Sequence, residues 1–155
     1  NGTATNAGAV TWADGTTGIN GVVSSANSLV GSSVDDYIGR DYFAPLLEER
    51  VGSITTFSDG SYLIMNSTWD NGALADAGFL SWGDGINAVV GEVSSSNSLI
   101  GTVAGEKLSY IVTTSSGQRL SGWLQTQLSG SLYTESFFIS SSPIKTTKSK
   151  FFLFA

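Results

Sequence analysis

The sequence predicts an all-β protein that is built from repeated antiparallel sheets. Three observations favour this class: a long segment recurs at a constant offset, short β-branched and aromatic runs alternate with turn signals, and charge is sparse. The 155 residues include 19 glycines, 2 prolines and 41% hydrophobic residues. This composition suits one folded domain of short strands joined by tight turns, and it excludes collagen-like and disordered chains.

The strongest signal is an internal repeat. The segment NAGAVTWADGTTGINGVVSSANSLVGS (residues 6–32) returns as DAGFLSWGDGINAVVGEVSSSNSLIGT (residues 76–102), at an offset of 70 residues. A fainter offset of 57 residues aligns residues 53–64 with residues 109–120. The chain is therefore expected to contain a partial unit (1–39), an insertion (40–50), a complete unit (53–108), and a degenerate unit with a tail (109–155).

Within the complete unit, the pattern predicts short strands separated by turns such as Asp59-Gly60 and Asp84-Gly85. Three to four strands in about 57 residues is the size of a propeller blade. The alternative is a β-helix or another stacked β-repeat. Pro45 is the only place where a helical turn is considered. The predicted strands are Ile54–Phe57, Tyr62–Met65, Gly78–Trp82 and Ala88–Val93.

The stretch SDGSYLIMNSTWDNGALADAGFLSWGDG (residues 58–85), followed by NSLIGTVAGEKL (residues 97–108), resembles tandem repeats of bacterial haemagglutinin-like and adhesin-like surface proteins. Those repeats in turn resemble the FG-GAP blades of integrin-α-type propellers. The resemblance implies a surface location and a blade-like shape more than an activity. FG-GAP blades often carry a D-x-D/N-x-D-G calcium loop, but here the equivalent stretch has Asp59 as its single carboxylate. One carboxylate cannot supply six to eight oxygen ligands, so no metal site is expected.

Composition also restricts the chemistry. A net charge of −6 argues against a nucleic-acid partner, because phosphates require clustered lysine and arginine. The chain contains neither cysteine nor histidine, which removes thiol nucleophiles, thiolate metal sites and the usual general base. No apolar run approaches the roughly 18 residues of a membrane span, so no membrane insertion is expected. No cofactor is expected either.

A carboxylate pair is the remaining catalytic option. Asp14 and Asp84 occupy equivalent positions in successive units, each directly before glycine. Turn formation explains that placement completely, so we expect no enzyme, with a carboxylate-dependent glycosidase as a remote alternative.

Aromatic residues supply the candidate binding positions. Trp12 and Trp82 recur at one unit position and are interpreted as core residues. Trp69 precedes a turn, where exposure is expected, and is the first candidate for a sugar platform. Tyr42 and Phe43 lie in the insertion, which is interpreted either as a binding loop or as a cap on a sheet edge.

The sequence as a whole predicts a non-catalytic structural or adhesive β-repeat module of an extracellular or cell-surface protein. Its expected partners are other copies of itself, joined through strand edges, or the rest of a larger surface protein. The alternative function is a carbohydrate-binding, lectin-like propeller. The tail, Lys145–Ala155, is predicted to add a strand, and Asn66-Ser67-Thr68 is a glycosylation sequon.

Overall fold

The computed structural model describes residues 3–40, 42–44, 49–114, 120–128, 131–139 and 150–151, with side chains for residues 3–40 and 54–108. Its regular structure is β-strand throughout these residues, so the predicted all-β class is confirmed. The strands are β1 (Ala9–Val10), β2 (Leu29–Val30), β3 (Tyr42–Ala44), β4 (Glu49–Thr56), β5 (Tyr62–Asn66), β6 (Phe79–Gly83), β7 (Gly91–Glu92), β8 (Leu99–Ile100), β9 (Ser109–Thr114), β10 (Leu120–Leu128), β11 (Ser131–Ile139) and β12 (Lys150–Phe151).

The described strands form three sheets. Their orders are β1-β2-β7, β3-β4-β5-β6-β8 and β12-β11-β10-β9. Neighbouring strands pair antiparallel throughout, except that β2 and β7 pair in parallel. Most of the pairing is therefore between segments that are close in sequence, and the parallel pair is the long-range exception.

The complete unit forms the antiparallel sheet that the sequence predicts. Strands β4, β5 and β6 follow one another as a meander, and β8 then pairs with β6. The predicted strand Ala88–Val93 is shorter than expected, because only Gly91–Glu92 forms a strand. That strand also leaves the sheet of its own unit and pairs with the preceding unit.

The insertion and the tail each add an edge strand. Strand β3 folds back on β4 with a bulge between Tyr42 and Phe43, which places the insertion at the edge of the five-stranded sheet. The position of Pro45 lies outside the described residues. Strand β12 pairs antiparallel with β11, so Lys150–Phe151 of the tail extends the third sheet within the same chain.

The repeat in sequence is a repeat in hydrogen bonding. Five backbone hydrogen bonds of the first unit return in the second unit between residues 70 positions later, with similar lengths. Equivalent residues therefore hold the same local backbone path. The recurring donor–acceptor pairs are Asn27–Ser24 (3.1 Å) with Asn97–Ser94 (3.2 Å), Gly31–Gly8 (3.2 Å) with Gly101–Gly78 (2.8 Å), Asp35–Thr5 (2.9 Å) with Gly105–Ala75 (2.8 Å), Tyr37–Asn6 with Lys107–Asp76 (both 2.9 Å), and Ile38–Ala7 (2.9 Å) with Leu108–Ala77 (3.0 Å).

The glycine that opens this path has a steric reason to recur. Gly8 and Gly78 have φ values of 73° and 77°, a region that side chains rarely adopt. A β-carbon at Gly8 would lie 2.4 Å from the Ile38 carbonyl oxygen, and one at Gly78 would lie 2.5 Å from the Leu108 nitrogen. The crossing of the two backbone segments thus requires glycine in both units.

The core is divided between the two faces of the five-stranded sheet. Side chains of β5 alternate, so Tyr62 and Ile64 enter one cluster while Leu63 and Met65 enter the other. The first cluster also contains Leu29 from the first unit, so it lies between the two units. This shared core positions the contact between the two units.

Candidate interface between repeat units

The contact between the two repeat units centres on the parallel pair of β2 and β7. Leu29 is the register partner of Gly91, and Val30 is the partner of Glu92. The Gly91 N–H donates to the Ser28 carbonyl at 3.0 Å, and the Val93 N–H donates to the Val30 carbonyl at 3.2 Å. Backbone hydrogen bonds therefore join units whose paired residues are 62 positions apart.

Apolar side chains are buried on both sides of this pair. Leu29 and Val93 are only 0% and 7% exposed, and both belong to the cluster that includes Phe79. Val89, from the same loop as Val93, packs against that cluster. Complete burial of a leucine or valine side chain stabilises a fold by about 1.5–3 kcal/mol, so these side chains contribute more than the two backbone hydrogen bonds.

An asparagine side chain shapes the strand that makes the contact. Asn97 donates through Nδ2 to the carbonyls of Val90 (3.1 Å) and Glu92 (2.9 Å), and its Oδ1 accepts the Ser94 N–H at 3.0 Å. In the first unit, Asn27 donates to the Val22 carbonyl at 3.0 Å in the same way. The repeated Asn-Ser dipeptides therefore fix loop geometry.

Serine hydroxyls next to these asparagines join each loop to an earlier segment of its unit, at Thr11 directly after β1 and at Ser81 in β6. The Ser28 and Thr11 hydroxyl oxygens lie 2.7 Å apart, and the Ser98 and Ser81 hydroxyl oxygens lie 2.5 Å apart. Ser28 and Ser81 are completely buried. Because each buried hydroxyl has a partner, neither incurs the cost of an unsatisfied polar group.

The aspartates that stood as a candidate catalytic pair cap loops. Asp14 Oδ1 accepts the N–H groups of Thr16 (2.8 Å) and Thr17 (3.0 Å), and Asp84 Oδ1 accepts those of Ile86 (2.8 Å) and Asn87 (2.7 Å). Hydrogen bonds from the Thr16 hydroxyl and from the N–H groups of Thr16 and Thr17 lower the pKa of Asp14 to about 2. The hydrogen bonds from Asn87 and Ile86 likewise hold the pKa of Asp84 below its ordinary value. Both side chains are exposed, as the turn interpretation requires.

A second carboxylate position serves the same purpose in both units. Asp36 Oδ2 accepts the N–H groups of Ser32 and Ser33, both at 2.8 Å. Glu106 accepts the equivalent N–H groups, those of Thr102 at 2.6 Å and Val103 at 3.2 Å. Burial raises the pKa of Asp36 above its ordinary value, although these hydrogen bonds oppose that shift.

The prediction that Trp69 is exposed is wrong. Its side chain is only 4% exposed and packs edge-on against Phe79, with ring centroids 5.7 Å apart. Its carbonyl accepts the Gly78 N–H at 2.9 Å, which holds the turn against the sheet. A buried ring offers no face for a sugar. The side chains of Tyr42 and Phe43 lie outside the described residues.

The recurring tryptophans pack as the sequence predicts. Trp12 contacts the core cluster between the units, and Trp82 contacts the cluster on the opposite face of the five-stranded sheet. The Trp82 ring lies 5.9 Å from Phe57, with 34° between the ring planes. The same sequence position therefore supplies an aromatic side chain to successive core layers.

Other candidate positions are also accounted for by structure. Asp59 accepts both the N–H and the hydroxyl of Ser61. Asn66 of the sequon is buried and donates to the Asp36 carbonyl at 2.7 Å. In the part of the chain that the structure describes, no three acidic residues form a metal-binding group, and no helix could cross a membrane.

Sequence reasoning missed the contact between units. The repeat revealed that Asn27-Ser28 and Asn97-Ser98 recur, but it gave them only a turn role. The available signal was that valine recurs at the same unit position, as Val23 and Val93.

These features define a β-repeat protein in which equivalent residues form equivalent contacts and adjacent units share a core. The chain belongs to the family described as "Repeat of unknown function (DUF5650)", whose model matches residues 1–40 and 56–110, more than half of the sequence. The matched segments contain both repeated loops and exclude most of the insertion. No curated protein and no solved structure matches the chain significantly.

Proposed function

We propose that this chain is a non-catalytic structural or adhesive repeat module of a secreted or cell-surface protein. The observation that carries the proposal is that the residues shared by the two units form backbone contacts, caps and core. Asn27 and Asn97 shape equivalent loops, and Gly8 and Gly78 allow equivalent backbone crossings. A repeat maintained by such residues is suited to building a scaffold.

The state of the carboxylates supports a non-catalytic role. A general acid works best when its pKa is close to the working pH. The pKa of Asp14 is lowered to about 2, and that of Asp84 is also lowered, so both stay ionised near neutral pH. Each carboxylate is already engaged by backbone N–H groups of its own loop.

Two screens test this function. The purified chain is applied to a glycan array and incubated with a panel of glycoside substrates, beside the Asp84→Asn variant. We expect neither specific glycan binding nor turnover. Hydrolysis that is lost in Asp84→Asn would overturn the non-catalytic proposal, and specific glycan binding would favour a lectin.

The surface location rests on the resemblance of residues 58–85 to adhesin-like repeats. Antibodies against the chain should label intact cells of the source organism without permeabilisation. Labelling only after permeabilisation would contradict the surface proposal and would leave the structural role standing.

A further inference from the structure

We propose that the chain associates head to tail with a second copy of itself, with residues 21–23 of one copy paired in parallel with residues 98–100 of the other. The register would be that of the contact between its own two units. The inference rests on the proposed structural function and names the surface through which that function would operate.

The acceptor edge is β8, which is the repeat equivalent of β2. Strand β2 lies between β1 and β7, whereas β8 pairs with β6 on one side and lies at the end of its sheet within the described residues. Burial follows this difference. Leu29 is completely buried under the second unit, whereas its equivalent Leu99 remains partly exposed. Strand β8 thus has the form of β2 without its outer neighbour.

The donor edge is Gly21–Val23, the repeat equivalent of Gly91–Val93. Val23 is 55% exposed, although its equivalent Val93 is only 7% exposed inside the contact. Ile19 is also exposed, whereas its equivalent Val89 packs against the core cluster. Among the described residues, no segment covers these apolar side chains as the first unit covers Val89 and Val93.

The donor edge already has the backbone shape that pairing requires. Asn27 holds the Val22 carbonyl as Asn97 holds the Glu92 carbonyl, at 3.0 and 2.9 Å. Gly21 has a φ of 127° and Gly91 has a φ of 103°, in the same left-handed region. A preformed edge loses little conformational entropy on binding.

The contact between β2 and β7 within one copy specifies the contact between two copies. The Gly21 N–H would donate to the Ser98 carbonyl, and the Val23 N–H would donate to the Ile100 carbonyl. Val23 would enter the apolar layer that Leu99 contacts, as Val93 enters the cluster that contains Leu29. Because the two edges differ and each copy carries both, the association is heterologous and can extend into open chains.

The test is sedimentation velocity on the full chain, over a series that extends to about 1 mM because small interfaces bind weakly. Substitutions at two adjacent residues should have opposite effects on association. Val23→Glu places a charge in the apolar layer and should leave the chain monomeric. Val22→Glu should associate like the wild type, because Glu92 already occupies the equivalent paired position inside the chain. Melting temperatures confirm that both variants are folded.

Nonspecific hydrophobic association predicts the reverse order, because Val22 is 86% exposed and Val23 is 55% exposed. A larger loss of association in Val22→Glu would therefore overturn the proposed register. A mixture is also informative: Val23→Glu retains its acceptor edge and should shorten wild-type chains by capping them. A wild type that stays monomeric throughout the series would overturn the inference, because the edge is then closed or unused. That outcome would leave the non-catalytic function untouched, since the glycan and turnover screens test it separately.

Discussion

Truncation of one valine measures how strongly the two units support each other. Val93 is buried in the core between the units, and its N–H pairs with Val30 of the first unit. Val93→Ala removes two buried methyl groups, each worth about 0.8 kcal/mol in transfer free energy, and leaves a small cavity. The expected loss in unfolding free energy is about 2 kcal/mol.

The chain provides its own control for this substitution. Val23 has a similar sequence neighbourhood, and Asn27 donates to the Val22 carbonyl as Asn97 donates to the Glu92 carbonyl, but Val23 is exposed. Val23→Ala should therefore change stability by less than about 0.5 kcal/mol. The comparison cancels the difference in strand propensity between valine and alanine, and it isolates the contact with the first unit.

Thermal unfolding by circular dichroism reads out both variants, at a dilution where the chain is monomeric. For a chain of this length, about 1 kcal/mol lowers the melting temperature by roughly 2–4 °C. Val93→Ala should therefore melt about 4–8 °C below the wild type, and Val23→Ala within about 2 °C of it. Equal effects of the two substitutions would refute the claim that the units share a core.

Four further predictions follow from particular contacts. Gly101→Ala should cost about 2 kcal/mol or more in urea denaturation, because its β-carbon would lie 2.0 Å from the Ala77 carbonyl oxygen; Gly15→Ala, in open space, should be nearly neutral. Asn97→Asp should cost about 2 kcal/mol in the same assay, because a carboxylate would face two backbone carbonyls that now receive hydrogen bonds; an unchanged midpoint would contradict the clamp. The folded pKa of Asp14 is about 2, below the unfolded value, so its stabilising contribution is present above about pH 4 and is lost as pH falls toward 2; melting temperatures should fall over that range, and less steeply in Asp14→Asn. Millimolar calcium should leave the melting temperature unchanged, and a clear rise would reveal a cation site.

The fold class was predictable because its signals are local. Short strands such as Tyr62–Asn66 carry dense β-branched or aromatic residues, and Asp59-Gly60 marks the adjacent turn. Recurrence predicted that Trp12 and Trp82 pack against the core, and they contact the clusters on opposite faces of the five-stranded sheet. Antiparallel pairing between consecutive strands then follows with little further information.

The interface was not predictable for the opposite reason. The pattern predicted a strand over Ala88–Val93, but it did not indicate that Gly91–Glu92 pairs with Leu29–Val30, which is remote in sequence. Backbone pairing of this kind depends on how the units pack, which no local pattern encodes. The prediction for Trp69 failed for a similar reason. The neighbouring turn suggested that its side chain is exposed, but the side chain is buried against Phe79.

Native-state hydrogen exchange on the dilute chain tests the central claim, the coupling of successive units, most directly. The amides of Gly91 and Val93 donate to carbonyls of the first unit, whereas the equivalent amides of Gly21 and Val23 would need a second copy. The account predicts strong protection at Gly91 and Val93, with rapid exchange at Gly21 and Val23. Equally rapid exchange at all four amides would show that the two units do not pair.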